Sequence, residues 1–148
     1  MDIPDLFRRY RDDVYRLAVS YTRSTQEAED VCQSVFLKLM EQENLTPGKE
    51  KAWLMQVTAN QCRSLLRSGW WKRTAPLEEA CHAGELPDRC VYRAVMSLKP
   101  KYRVVVYLHY YESYTTSEIA GLLNLSTTAV TTRLSRAREQ LRALLKED

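Results

Sequence analysis

The sequence predicts an all-α chain: two small helical domains joined by a linker. Three features carry that expectation. Only four glycines occur among 148 residues, and no alternating apolar–polar run of strand length persists. Apolar residues recur at steps of three and four through most of the chain, the spacing that lines up one side of an α-helix. Between residues 69 and 87 the period breaks, in a stretch with two Gly and two Pro, and this stretch reads as the linker.

The elements follow in order. Asp2 and Pro4 suit the start of a first helix, whose stripe is Leu6, Tyr10, Val14, Leu17 and Tyr21. Ser24-Thr-Gln-Glu27 has the form of a capping box, in which the hydroxyl accepts one orphan N–H and the carboxylate reaches back to another. It opens a second helix with Ala28, Val31, Cys32, Val35, Phe36 and Leu39 inward. "NLTPGK", 44–49, is a loop by its Asn, Pro and Gly. A third helix spans about 50–68, with Trp53, Leu54, Val57, Leu65 and Leu66 as its apolar members and Trp53 in the core. Within the linker one short helical turn is expected near Glu78–Ala83. Helical patterning resumes near Asp88 with Val91, Val95 and Leu98. Pro100 suits the first turn of the next helix, whose apolar members include Val104, Val105 and Leu108. Thr115-Thr-Ser-Glu118 is a second capping box and starts a short helix to Leu123. The last helix runs from Ser126, its N-cap, to about Leu145.

The totals narrow the function. Apolar content of 45% and charged content of 28% exclude a disordered tail. Net charge is only +3 but unevenly spread: residues 1–68 carry ten basic and ten acidic groups, whereas 126–146 carry five basic and one acidic. A local basic stripe on a nearly neutral chain points to one surface that faces a polyanion. The N-terminus is charged from its first residues, so no signal peptide is expected. The longest apolar run, "VVVYL" at 104–108, is too short for a bilayer, so no membrane insertion is expected. Cys32, Cys62, Cys81 and Cys90 lack close pairing and read as reduced thiols of a cytoplasmic protein. No nucleophile triad, phosphate-binding loop or dinucleotide fingerprint is visible, so the chain is not expected to be an enzyme. Glu79 and His82 have the Glu-x-x-His spacing of di-iron bundles, but His109 has no Glu three residues before it. A zinc set of Cys62, Cys81, His82 and Cys90 has no close Cys pair. No metal and no cofactor are expected.

The end of the chain has the pattern of a helix-turn-helix: two short helices about three residues apart, the second amphipathic. Ala120 is small where the helices cross, Asn124 tolerates the left-handed turn, and Val130 locks the second helix onto the first. At about 100° per residue, Val130, Leu134, Ala137, Leu141 and Leu144 share one stripe. Thr128, Thr132, Ser135 and Glu139 lie opposite, flanked by Thr131, Arg136 and Arg142, while Arg133 and Arg138 border the apolar stripe. Short hydroxyls and arginines with almost no acid suit a surface that reads base edges and phosphates. The alternative is an ordinary amphipathic helix with a solvated face.

At this point a family resemblance is visible. "LKPKYRVVVYLHYYESYTTSEIAGLLNLSTTAVTTRLSRAREQL", 98–141, resembles region 4 of sigma-70-type factors of bacterial RNA polymerase. "AEDVCQSVFLKLM", 28–40, resembles the region 2 segment that docks on the polymerase core. "AWLMQVTANQCRSLLR", 52–67, resembles the following promoter-melting helix. Two blocks in this order, without further domains between, resemble the minimal class, the extracytoplasmic function (ECF) sigma factors. The resemblance implies a region 2 bundle over 1–68, a linker over 69–87 and a region 4 helix-turn-helix domain over 88–148. It implies an initiation factor that binds core polymerase, reads an upstream promoter element with region 4 and melts a downstream one with region 2.

The implied residues are specific. Asp30, Gln33 and Phe36 would bind the clamp coiled coil of core polymerase. Asn60, with the loop 44–51, would capture unstacked bases of the opened strand, with Arg63 and Arg67 supplying charge. Lys72 and Arg73 add charge there, and Trp70 and Trp71 suit either base stacking or packing against the linker or domain. Helix projection and resemblance together give Thr127, Thr128, Thr131, Thr132, Arg133, Ser135 and Arg136 as the set that meets the upstream element. Implied partners are core polymerase, through its clamp and upstream flap, promoter DNA and an anti-sigma factor. Three positions depart from the pattern: Thr131 stands where a basic residue is common, and Ser34 and Ser64 where acids are common. The alternative function is a stand-alone helix-turn-helix regulator.

Overall fold

Capping residues set the helix boundaries of this chain. A computed structural model describes residues 2–43, 45–69 and 87–145. Trp70, Trp71, Lys72, Arg73, the expected turn at Glu78–Ala83, Cys81 and His82 lie outside the described residues. The described residues are all-α, and they contain no strand. The chain divides into two units, Met1–Thr74 and Ala75–Asp148.

The first unit is a three-helix bundle of α1 (Ile3–Thr22), α2 (Thr25–Met40) and α3 (Glu50–Arg67). Asp2 caps α1 by accepting the Asp5 N–H at 3.2 Å, and Pro4 stands in the first turn. The helix ends at Arg23, which is left-handed (φ 57°, ψ 23°). That reversal changes the expected capping box. Ser24 Oγ does accept the Glu27 N–H at 3.1 Å. The Ser24 N–H, however, donates to Thr22 Oγ1 at 3.2 Å, because the tight turn brings this hydroxyl back beside it. Glu27 is therefore not the second half of the box.

Packing of α1 against both neighbours buries Val14, Leu17 and Ala18 together with Ala28, Val35 and Leu39 of α2. The inward face of α3 differs from the expected one. Leu54 is buried, but its companions are Met55, Thr58, Ala59 and Cys62, while Trp53, Val57, Leu65 and Leu66 are half-buried. Thr58 can enter the core because its hydroxyl bonds the Leu54 carbonyl at 2.6 Å. Ala59 and Cys62 are small, which suits a close helix approach. At the seam of α2 and α3, Gln61 Oε1 accepts from Ser34 Oγ at 3.2 Å and Lys38 Nζ at 3.0 Å.

The second unit contains α4 (Pro87–Ser97), α5 (Pro100–Val106), a π-helical turn (Tyr107–Tyr111), α6 (Thr116–Leu123) and α7 (Thr127–Leu145). Val95 and Leu98 are buried as the pattern predicts, whereas Val91 is 39% exposed. Arg103 is 2% exposed, and its guanidinium donates to the Leu98 carbonyl at 2.7 Å and the Met96 carbonyl at 3.4 Å. A side chain of α5 thus satisfies the orphan carbonyls at the end of α4. The π-helical turn was not legible in the sequence. It is closed by the Glu112 N–H on the Tyr107 carbonyl at 3.2 Å, and Ser113 then turns left-handed (φ 59°). His109 Nδ1 lies 2.9 Å from the Tyr114 carbonyl and ties the exit of the turn.

The helix-turn-helix itself follows the sequence. Thr115 Oγ1 accepts the Glu118 N–H at 3.1 Å, and Glu118 accepts the Thr115 N–H at 2.9 Å, so this capping box is complete. Asn124 is left-handed (φ 58°, ψ 46°). Its N–H and that of Leu125 both donate to the Ala120 carbonyl, the latter at 2.9 Å. Ser126 Oγ then accepts the Ala129 N–H at 3.0 Å and starts α7.

Removing the Arg103 guanidinium strands buried carbonyls. Arg103→Leu is expected to destabilise the second unit by about 2–4 kcal/mol. Hydrogen exchange of the α4 and α5 amides under mild denaturant reads this loss, and unchanged protection there contradicts the capping role.

Candidate nucleic-acid interface

The surface of α7 is built by the burial of its other side. Val130, Leu134 and Ala137 are each at most 1% exposed, so the helix cannot rotate without stranding them. The stripe is shorter than expected: Leu141 is half-buried, and Leu144 is 48% exposed. Of the predicted set, Thr127, Thr128, Thr131, Thr132, Ser135 and Arg136 are exposed. Arg133 is half-buried, as its place beside the apolar stripe requires. The structure thus keeps the seven residues together on one helix. Thr131 Oγ1 donates to the Thr127 carbonyl at 2.9 Å, which uses its proton and leaves its methyl and lone pairs for a partner.

Two tyrosines, from α5 and the π-helical turn, touch arginines of α7, and sequence reasoning missed both. Burial alone would raise the Tyr102 phenol, but hydrogen bonding to Arg136 and the nearby charge of Lys101 outweigh it and lower it. Tyr110 Oη accepts from Arg138 Nε at 2.6 Å, and the guanidinium lies 5.7 Å from the ring centroid. Neither pairing leaves a signal in local periodicity, because Tyr110 and Arg138 are 28 residues apart.

On the first unit, α3 presents a row of polar side chains at helical spacing. Asn60 and Arg67 are exposed and Arg63 is half-buried. Arg63 donates to Asn60 Oδ1, and Arg67 donates to Ser64 Oγ at 3.1 Å. Held this way, Asn60 keeps its amide N–H groups for another partner. Ser64, the departure noted above, serves as an acceptor for its neighbouring arginine.

The α2 face needs one correction. Asp30 and Gln33 are exposed, but Phe36 is 5% exposed and packs edge-on against Phe7, with centroids 5.0 Å apart. Phe36 belongs to the core because it shares the inward stripe with Cys32 and Leu39. The outward line through Asp30 and Gln33 instead continues to Leu37 and Met40, which are 61% and 63% exposed. Their signal was available: two large apolar residues stand off the inward stripe at helical spacing from Asp30.

Among the described residues no group of three His, Cys, Asp or Glu side chains is placed to hold a metal ion. No helix among them is long and apolar enough to cross a membrane.

Comparison with known proteins gives a consistent set. Residues 6–72 match the family model of sigma-70 region 2, and residues 88–141 that of sigma-70 region 4. The chain is 30% identical to the RNA polymerase sigma factor CarQ of Myxococcus xanthus, over 97% of this chain and 88% of that protein. It is 29% identical to the ECF RNA polymerase sigma factor SigE of Mycolicibacterium smegmatis, over 95% of this chain but only 60% of that protein. Its fold is similar to that of the sigma factor RpoE of Bartonella quintana, solved in complex with the anti-sigma factor NepR. The TM-score is 0.77 at 23% identity, over 99% of this chain and 98% of the other.

Beneath the polar row of α3 lies Cys62, which is fully buried. Burial pushes its thiol up to about 12 from an ordinary 9.0, against the smaller opposing pull of Arg63. A group raised on folding contributes stability that is complete below its unfolded value and lost as pH climbs to the folded one. The first unit is therefore expected to weaken between pH of about 9 and about 12. Denaturation of wild type and Cys62→Ala across that window checks this: the wild-type advantage should shrink as pH rises, and a constant difference contradicts it.

Proposed function

This chain belongs to the sigma-70 family of RNA polymerase sigma factors, in its ECF group, and from that premise we propose that it directs core polymerase to selected promoters. The observation that carries the reading is the pairing of two surfaces on one chain: the acid-poor outward face of α7 and the polar row of α3. α7 enters the major groove of the upstream element, where Thr127, Thr128, Thr132, Ser135 and Arg136 meet base edges and phosphates. Arg133 and Thr131 approach from the flanks. Asn60, Arg63 and Arg67 hold unstacked bases of the downstream element. Opening costs a few kcal/mol per extruded base, and capture of those bases offsets that cost.

Asp30 and Gln33, extended by Leu37 and Met40, dock on the clamp coiled coil of the polymerase, while the second unit meets the upstream flap. The half-apolar character of the α2 face supports a protein partner there, since interface centres are richer in large apolar groups than rims. An anti-sigma factor that covers these faces would silence the chain. The protein does no bond chemistry of its own, needs no cofactor and works in the cytoplasm beside the DNA. The division into residues 1–68, a linker over 69–87 and 88–148 is part of the same proposal.

Arg136→Ala is expected to lower promoter-directed run-off transcription about tenfold or more, the scale of a lost base contact, while core binding stays intact. Asp30→Lys is expected to do the reverse, weakening capture by immobilised core and recovering run-off when the factor is in excess. If wild-type protein fails to bind core and still protects a specific DNA duplex, the chain is a stand-alone regulator.

A further inference from the structure

Arg138 lies on α7 two helical turns beyond Thr131, at the edge of the apolar stripe. Position and charge alone make it a natural phosphate ligand. The structure gives it another partner. Its Nε donates to the Tyr110 hydroxyl at 2.6 Å, and its guanidinium plane lies 5.7 Å from the same ring. Tyr110 is itself fixed: His109 meets its ring edge-on at 4.9 Å, and His109 is held by the Tyr114 carbonyl at 2.9 Å. The π-helical turn that presents Tyr110 adds a residue to the helical repeat, and such turns cluster at functional positions. The exit of that turn leads directly into the cap of α6 at Thr115.

We propose that Tyr110 and Arg138 form a strut that sets the rotational and lateral seat of α7, so that Arg138 is a positioning residue for DNA reading and not a phosphate ligand. The inference rests on the reading of α7 as the groove-entering helix. Buried Val130, Leu134 and Ala137 fix the inner side of α7 over its first half. Beyond Ala137 the apolar stripe loosens, and the strut holds the helix at the point where burial stops doing so. Thr132, Ser135 and Arg136 then arrive at the groove already aligned. Arg136, two residues before Arg138 and on the other flank of the helix, is linked to the Tyr102 hydroxyl of α5.

The test uses full-length protein assembled with core polymerase, on a promoter selected by that holoenzyme from a random library and on the same promoter with its upstream element scrambled. Tyr110→Phe removes only the hydroxyl and keeps the ring; Arg138→Met removes the charge and keeps the stem. Each is expected to reduce the preference for the intact over the scrambled element by about tenfold, the scale of one charged hydrogen bond. The double variant should lose no more than either single one, because the two residues act as one unit. The salt dependence of binding should stay at its wild-type slope. A slope lowered by about one in Arg138→Met, with Tyr110→Phe unchanged in preference, makes Arg138 a phosphate ligand and overturns the strut. Additive losses in the double variant also overturn it. If the wild-type holoenzyme shows no preference for its own upstream element, the reading of α7 fails and not the strut.

Discussion

Neither unit has residues to spare for its core. Domains of this size bury a smaller fraction of their surface than larger ones, so one stranded polar group would consume much of their stability. The buried polar side chains are Ser20, Thr22, Thr58 and Arg103, and each donates to a nearby main-chain carbonyl. Ser20 bonds Leu17 at 2.6 Å, and Thr22 bonds Ala18 at 2.9 Å. Among these four, the polar group is returned to the chain's own carbonyls, so their burial strands no donor. It leaves most of the outward polar groups of α2, α3 and α7 without a role in holding the core.

The placement of the functional side chains follows from that economy. On α7, three buried residues within two turns leave one rotational setting, and the polar face is what remains. On α2, the same logic turns Phe36 inward and Leu37 outward, although both are large and apolar. Ser34 and Lys38 join α3 through Gln61, so the α2 surface and the α3 row rest on one shared amide. That link ties the outward faces of α2 and α3 together through one side chain.

Much of this was legible in the residues, and the limits have physical causes. Asn124, the Thr115–Glu118 box and the Ser126 cap are local signals whose geometry involves only a few neighbouring residues, so sequence spacing suffices to place them. The inner face of α3 was misplaced because Thr58 is polar on paper, yet becomes core-compatible once its hydroxyl bonds Leu54. Glu27 lost its capping partner to Thr22 because a left-handed Arg23 intervened, and a residue of that type seldom signals such a turn. The pairing of Tyr110 with Arg138 depends on contact between distant segments. Periodicity carries no information about that. Leu37 and Met40 stand exposed on the outward line with Asp30 and Gln33, a signal the sequence held but sequence reasoning missed, whereas Phe36 lies on the inward stripe.

Cys62 lies on the core side of α3, the side away from the exposed row of Asn60 and Arg67. Oxidants attack the thiolate, and a thiol raised to about 12 supplies almost none at neutral pH. Cys32, also raised by burial, shares that inertness. Peroxide reaching the protein would thus find little to react with at either sulfur, and α3 would keep its shape through an oxidative episode.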